Sequence, residues 1–332
     1  MHTPHVAMAA LSGWTGTRAI PAPRAGTGPA TTSARFIADT LPLSQFVALT
    51  EDVARAVGDD THGWALGLQY ELAELGPVAR AIRSAPTLGA ALRMLVDFFS
   101  LMQDSSEMQL ACEEGWLTVS YRILDPEIWP RHQDAIFTLG IVAQLVRLAA
   151  GPCWDKLQLG LERDDAEALA RLAQRSGVRC TGGTTSNWLR IPLALAETGL
   201  PRSSAGHGDE LKVLNRLLVQ KQRTTTVEER VRALVYRQLG DRPISQEQIA
   251  RSLGMSSRTL RRHLAASATS FQDLVDDCRL RQAAHEFRVR RNVSIAQTAL
   301  RLGYSEHSTF TRAFARWCGM APQSFMRAHA PT

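Results

Sequence analysis

Seven side chains near the carboxyl terminus have the types and spacing to do chemistry together. Arg258, Arg261 and Arg262 stand opposite Leu260 and Leu264 in the segment MSSRTLRRHL. His307, Ser308, Thr311 and Arg312 stand opposite Phe310, Phe314 and Trp317, an apolar stripe at i, i+4 and i+7 that pins a helix to a core. A planar guanidinium fork bonds guanine O6 and N7 together, whereas a phosphate asks only for positive charge. One arginine on an outer helix face is ordinarily just solvated. Two matched sets on duplicated helices point to base edges and phosphates.

The elements that must hold these residues repeat. IARSLGMSSRTLRRHL and TALRLGYSEHSTFTRAF each carry Leu-Gly, then Met or Tyr, then Ser, and then an amphipathic basic segment; Ser256 and Ser305 lie 49 positions apart. A helix-turn-helix needs this order: a first helix, a tight turn that holds Gly, and a second helix that packs inward and reads outward. Ile249, Leu253, Met255, Leu260 and Leu264 supply the packing in the first copy, and Ala299, Leu302, Tyr304, Phe310 and Phe314 in the second. Superposing Leu260 on Phe310 matches Arg258 with Ser308, Arg261 with Thr311 and Arg262 with Arg312. The faces share geometry and differ in chemistry, as two different half-sites require. Ser245 with Gln248, Ser270 with Asp273 and Ser294 with Gln297 mark helix starts. Between the copies, SFQDLVDDCRLRQAAHEFRVRR predicts one helix of about 20 residues, or roughly 30 Å, close to the roughly 34 Å turn of B-DNA. Its Arg279, Arg281, Arg288 and Arg290 are expected in ion pairs with Asp276, Asp277 and Glu286.

Charge separates the chain into two parts. Of 332 residues, those from Val227 to Thr332 hold 17 Arg, no Lys and nine acids, a formal +8, while the remainder carries −2. A polyanion partner is therefore expected for the carboxyl-terminal part alone. Residues 1–33, rich in Ala, Thr, Pro and Gly without periodicity, read as a disordered lead-in. Residues 34–220 mix TLGAALRMLVDFFSLM and IFTLGIVAQLVRLAAG, both helical, with the alternating strand WLTVSYRIL, which is an α+β pattern. PRSSAGHGD reads as a loop and ELKVLNRLLVQKQ as a helix. The boundary is placed between Gln220 and Glu229, and residues 227–332 form the second domain. Cys112, Cys153, Cys180, Cys278 and Cys318 form no CxxC pair and are expected as reduced, mostly buried thiols. No long apolar run or basic-flanked leader is evident, so a cytoplasmic protein with no membrane partner is expected, and neither a cofactor nor a metal is implied.

The segments IARSLGMSSRTLRRHL, SFQDLVDDCRLRQAA and SIAQTALRLGYSEHSTFTRAFARWCGMAPQSF resemble the DNA-binding domain of the AraC/XylS family of bacterial transcription regulators over about 100 residues. The resemblance implies an all-α domain of two helix-turn-helix units joined by a long helix, each inserting a recognition helix into double-stranded DNA. By position, Arg258, Arg261 and Arg262 match the first recognition helix, and His307, Ser308, Thr311 and Arg312 the second. The family's Leu pair at the end of the connecting helix is replaced by Glu286-Phe287-Arg288, where Phe287 serves as one anchor. LGLQYELAELGPVARAIRSAPTLGAALRMLVDFFSLM, LVRLAAGPCWDKLQLGLE and TTSNWLRIPLALAETGLP resemble the effector-binding domain of relatives that lack a cupin-like barrel. That implies a small-molecule effector, a role in homodimer formation, and an activator acting on RNA polymerase. Trp64, Tyr70, Phe98, Phe99, Trp116, Tyr121, Trp129 and Phe137 either line a cavity or fill the core. Two alternatives belong to other classes: a DNA-repair type enzyme with a regulator-like domain, and an effector-independent DNA-binding protein. The enzyme requires an activated thiol, and Cys112, Cys153 and Cys180 lack the basic surroundings for one; His132 and Asp134, two apart on a helix, point away from each other.

Overall fold

The computed structural model describes residues 5–7, 40–201, 209–240, 243–289 and 293–329. The expected lead-in lies outside them except for a short strand, β1 (His5–Ala7), antiparallel to β2 (Thr40–Pro42). Most of the expected loop at PRSSAGHGD lies outside them too. Contacts divide the chain into two compact units, Met1–Ile123 with Ile128–Lys221, and Leu124–Glu127 with Gln222–Thr332.

The first unit is α+β. After α1 (Leu43–Val57), α2 (His62–Gln69), α3 (Pro77–Ser84) and α4 (Leu88–Phe98), a hairpin joins β3 (Ser106–Glu113) to β4 (Trp116–Ile123). Its two loop residues, Glu114 and Gly115, have φ of 49° and 81°, the backbone that matches the twist of paired strands. Alternation in β4 buries Leu117, Val119, Tyr121 and Ile123 on one face. With β5 (Gln158–Gly160), β6 (Arg179–Thr181) and β7 (Asn187–Pro192) the sheet order is β3-β4-β7-β5-β6, antiparallel except for β5 with β6. Helix α5 (His132–Ala150) packs on β4 and β7, and α6 (Ala166–Ser176) and α7 (Asp209–Thr224) follow. Among the described residues α5 alone is long and apolar enough to cross a membrane, yet 72% of that window is buried inside the fold. Helix α2 lies hard against it. A Cβ on Gly67 would sit 2.3 Å from the Phe137 carbonyl oxygen, so this crossing tolerates only glycine.

The aromatics resolve as core. Trp64, Tyr70, Phe98, Phe99, Tyr121 and Phe137 are buried, with Tyr70 edge-on to Phe137 and Phe99 edge-on to Tyr121, each at 5.6 Å; Trp116 and Trp129 are half-buried. A polar chain crosses this core: the Gln103 amide donates to the Tyr121 hydroxyl, which donates to the Asp134 carboxylate, each at 2.5 Å. Burial pushes the Asp134 carboxyl up to about 7 despite the Tyr121 bond and the Arg131 charge. His132, two positions earlier, is pushed down to about 4 by burial and by Arg163. The two groups keep separate surroundings, as their spacing on one helix implies.

The second unit is built of α8 (Val227–Gln238), α9 (Gln246–Ser252), α10 (Ser257–Ala266), α11 (Phe271–Val289), α12 (Ile295–Arg301), α13 (His307–Cys318) and α14 (Pro322–Ala328). The connecting segment is one helix, α11, of 19 residues. Seven of its residues, Leu274 and Phe287 at the two ends among them, run along the core that both repeats share.

Candidate nucleic-acid interface

Both repeats turn in the same way. In the first, Gly254 takes φ of 69° and the Met255 amide donates to the Ala250 carbonyl at 3.0 Å. In the second, Gly303 takes φ of 87° and the Tyr304 amide donates to the Ala299 carbonyl at 2.9 Å. A left-handed residue here suits glycine, which lacks the Cβ penalty. The copies differ after the turn: the N-cap of α10 is Ser256, two residues past its glycine, and that of α13 is Glu306, three past its own, whose side chain makes no capping bond. The second turn is one residue longer, which is why Leu260 and Phe310 superpose 50 positions apart although the turns superpose at 49.

Capping follows the sequence at most starts. The Ser256 hydroxyl accepts the Thr259 amide at 3.1 Å, Ser294 accepts from Gln297 at 3.3 Å, and Ser270 and Asp273 exchange bonds as a capping box. Ser245 departs from the expectation. It occupies the N-cap of α9, but its hydroxyl donates to the Glu247 carboxylate at 2.8 Å, a charged acceptor stronger than a neutral one. Replacing Ser256 with Ala should lower the stability of the second unit by about 1 kcal/mol. Denaturant unfolding followed by the helical signal checks this.

The seven sequence-marked side chains lie on the outer faces of α10 and α13. Arg258, Arg261 and Arg262 are exposed, and among the described residues none of them has a hydrogen-bond or ion-pair partner. His307, Ser308 and Arg312 are exposed as well, and Thr311 is half-buried with its hydroxyl 3.5 Å from His307 Nε2. Among the described residues Arg312 reaches only the Thr309 hydroxyl at 3.5 Å, and the Ser308 hydroxyl donates to Glu306 at 3.3 Å. The inner faces are as expected, with Ile249, Leu260, Leu264, Ala299, Leu302, Phe310 and Phe314 buried and Leu253, Met255 and Tyr304 packed at the edges.

Arginines of the framework behave differently. Arg232 of α8 bonds both Glu228 and Asp277, Arg281 bonds Asp277 at 3.0 Å, and the Trp317 indole N–H donates to Asp277 at 3.4 Å. One carboxylate thus ties α8, α11 and α13 together. Burial alone would raise Asp277, but the Arg232 bond and the Arg281 charge bring it below the usual carboxylate range. Arg279 meets Asp276 at 3.4 Å and lies over the Tyr304 ring at 5.4 Å. Glu286, buried, pairs with Arg301 of α12 and accepts the Gln282 side-chain amide of its own helix at 3.1 Å, with no arginine of that helix on it among the described residues. Arg288 lies over the Phe325 ring at 5.3 Å, and Arg290 falls outside the described residues. Phe287 does serve as the anchor: it is fully buried and edge-on to Phe310 and Phe314 at 6.3 and 5.6 Å. The Asp277 junction was missed in the sequence, although an acid at i−4 from Arg281 signalled half of it.

The cysteines are all free, but only Cys153 and Cys278 are buried; Cys180 and Cys318 are partly covered and Cys112 is exposed, so "mostly buried" is corrected. Burial pushes the Cys180 thiol up to about 11 and Cys278 up to about 12, and raises Cys153 as well, away from thiolate chemistry.

Residues 29–200 match the family described as the arabinose-binding domain of AraC transcription regulator, N-terminal, which is more than half of the chain. The chain belongs to the AraC family of transcription regulators. Residues 249–328 match a helix-turn-helix domain, covering both repeats of this AraC-family protein. It is 27% identical to the ornithine utilization regulator of Pseudomonas aeruginosa over 87% of this chain and 85% of that one. To the HTH-type transcriptional regulator VirS of Mycobacterium tuberculosis it is 28% identical over 86% and 84%. The crystal structure of the transcriptional regulator CdpR from Pseudomonas aeruginosa aligns over 92% of this chain and 100% of that one, at 22% identity and a TM-score of 0.40. The AraC-family protein is thus a transcription regulator with a DNA-binding helix-turn-helix part and an arabinose-binding-like amino-terminal domain.

Proposed function

We propose that this regulator is an activator that reads two adjacent major-groove segments of double-stranded DNA, through Arg258, Arg261 and Arg262 in one and His307, Ser308, Thr311 and Arg312 in the other. The observation that carries the reading is the sorting of arginines. Those inside the framework are matched with carboxylates or rings, while Arg258, Arg261 and Arg262 have no hydrogen-bond or ion-pair partner among the described residues, on the face where a groove would lie. The amino-terminal domain binds a small-molecule effector and contributes to homodimer formation, and the bound effector shifts the population that engages DNA and RNA polymerase. Residues 227–332 form the DNA-binding part and residues 34–220 the effector part. Relatives named as transcriptional regulators favour this over an enzyme.

Footprinting of the full-length protein tests it. Protection of two segments about 10 base pairs apart on one face is expected, and a single protected segment would remove one recognition helix from the reading. Replacing Arg262 or Arg312 with Ala should cost about 1 to 3 kcal/mol and relax base preference at one position. Equal loss on every sequence would make that residue a phosphate contact. Measured by fluorescence anisotropy, affinity should also fall steeply with salt.

A further inference from the structure

The first unit contains an open cleft of about 910 Å³ with charged walls of both signs. Glu51, Asp59 and Asp60, from α1 and the loop after it, line it together with Arg163, Arg171 and Arg175, from α6 and the segment before it. Two ion pairs join these walls: Arg171 with Asp60 at 2.6 Å and Arg175 with Asp59 at 2.8 Å, the arginines 51% and 57% exposed. Three lining charges, Glu51, Arg55 and Arg163, are not joined in this way, and Arg55 pairs with Asp52 on its own helix at 2.6 Å. Glu51 accepts the Gln133 amide at 2.7 Å and has no ion-pair partner among the described residues. Arg163 holds Asp165, outside the lining, at 2.7 Å, and its charge is felt at Glu51.

We propose that this cleft binds a free α-amino acid, with its ammonium group on Glu51 and its carboxylate on Arg163. The proposal rests on the effector reading above and names the chemistry of the effector. An inorganic anion would meet three carboxylates, a simple polyamine would meet the guanidiniums, and a neutral sugar would bring no counter-charge to Glu51. A zwitterion answers both walls. Burial pushes the Glu51 carboxyl up against its bonds from the Gln133 and His132 amides, so an arriving ammonium stabilises the ionised form. Those amides open α5, whose first turn also carries Asp134 on Tyr121 of the sheet. Occupancy of the cleft therefore acts on the helix that organises the unit.

Titration calorimetry of the full-length protein with each common L-α-amino acid tests the proposal, followed for the tightest by its N-acetyl derivative and its amide. The expected result is one binding amino acid, with both derivatives weakened roughly tenfold or more through loss of a charge-assisted bond. Glu51→Gln should weaken it similarly while leaving the melting temperature near wild type, because the amide oxygen still accepts the Gln133 N–H. Gln174→Trp is a second variant: Gln174 is exposed on the cleft wall, and an indole there should block entry. Absence of binding by every amino acid, or equal binding by both variants, overturns the proposal. A non-amino-acid metabolite that raises the melting temperature in its place would leave the effector reading intact while the cleft assignment falls. An amino acid bound here with unchanged DNA affinity would do the reverse.

Discussion

Phe314→Ala should destabilise the second unit by about 3 to 5 kcal/mol and abolish protection of one DNA segment. Phe314 is fully buried and meets four rings, Phe287, Phe310, Trp317 and Phe325, at 5.6, 5.7, 5.9 and 5.4 Å. These rings come from α11, α13 and α14, so truncation opens a cavity that no single neighbour can fill. Denaturant unfolding of the full-length protein, followed by Trp317 environment and by footprinting, measures both effects. A loss under about 1 kcal/mol would mean that the site collapses around the smaller side chain. Retained double protection would show that the orientation of α13 does not depend on the ring cluster.

A second large effect concerns acid. Asp134 in the folded state titrates near 7 instead of 3.8, so its stabilising contribution is complete below about pH 4 and is lost as pH rises to 7. His132 in the folded state titrates near 4 instead of 6.5, so its contribution is complete above 6.5 and is lost as pH falls to 4. The two oppose each other across the same window and leave a shallow wild-type profile. Replacing either one unmasks the other. Asp134→Asn, which keeps an acceptor for the Tyr121 hydroxyl, should itself lose roughly 3 kcal/mol of stability between pH 7 and 4, the His132 contribution now unopposed. His132→Gln should gain roughly 4 kcal/mol over the same range. Glu51, also raised, adds in the direction of Asp134. Chemical denaturation of the amino-terminal unit at several pH values measures these slopes, and an Asp134→Asn profile parallel to wild type would show that Asp134 is ionised in the native state.

Legibility in the sequence followed how local the responsible interaction was. The stripe of Phe310, Phe314 and Trp317 and the Ser256, Ser270 and Ser294 caps act within one or two helical turns, and the second unit was readable from them. Asp277 was half readable: its bond to Arg281 spans four residues, but the bonds to Arg232 and Trp317 cross 45 and 40. The tight crossing of α2 on α5 depends on Gly67 meeting residues some 70 positions on, and no periodicity marks such a meeting. Aromatic residues of the first unit were readable as core or cavity without a means to choose, and packing chose core. The charged cleft went unseen because its residues, from Glu51 to Arg175, read one at a time as ordinary surface ions. Ser245 misled because a carboxylate two residues away outbid the backbone amide.

The unlike caps and faces of α10 and α13 have a consequence for direction. Ser256 leaves the start of α10 uncharged behind three exposed arginines, whereas Glu306 places a carboxylate at the start of α13 beside His307, Ser308 and Thr311. Under the reading proposed above, one end of the footprint is gripped by three guanidiniums and the other by one, Arg312, beside an imidazole and two hydroxyls. Such a protomer cannot bind its site equally well when turned end for end. It carries a heading along the duplex, so the strand on which a promoter lies is already encoded in the way one copy sits down.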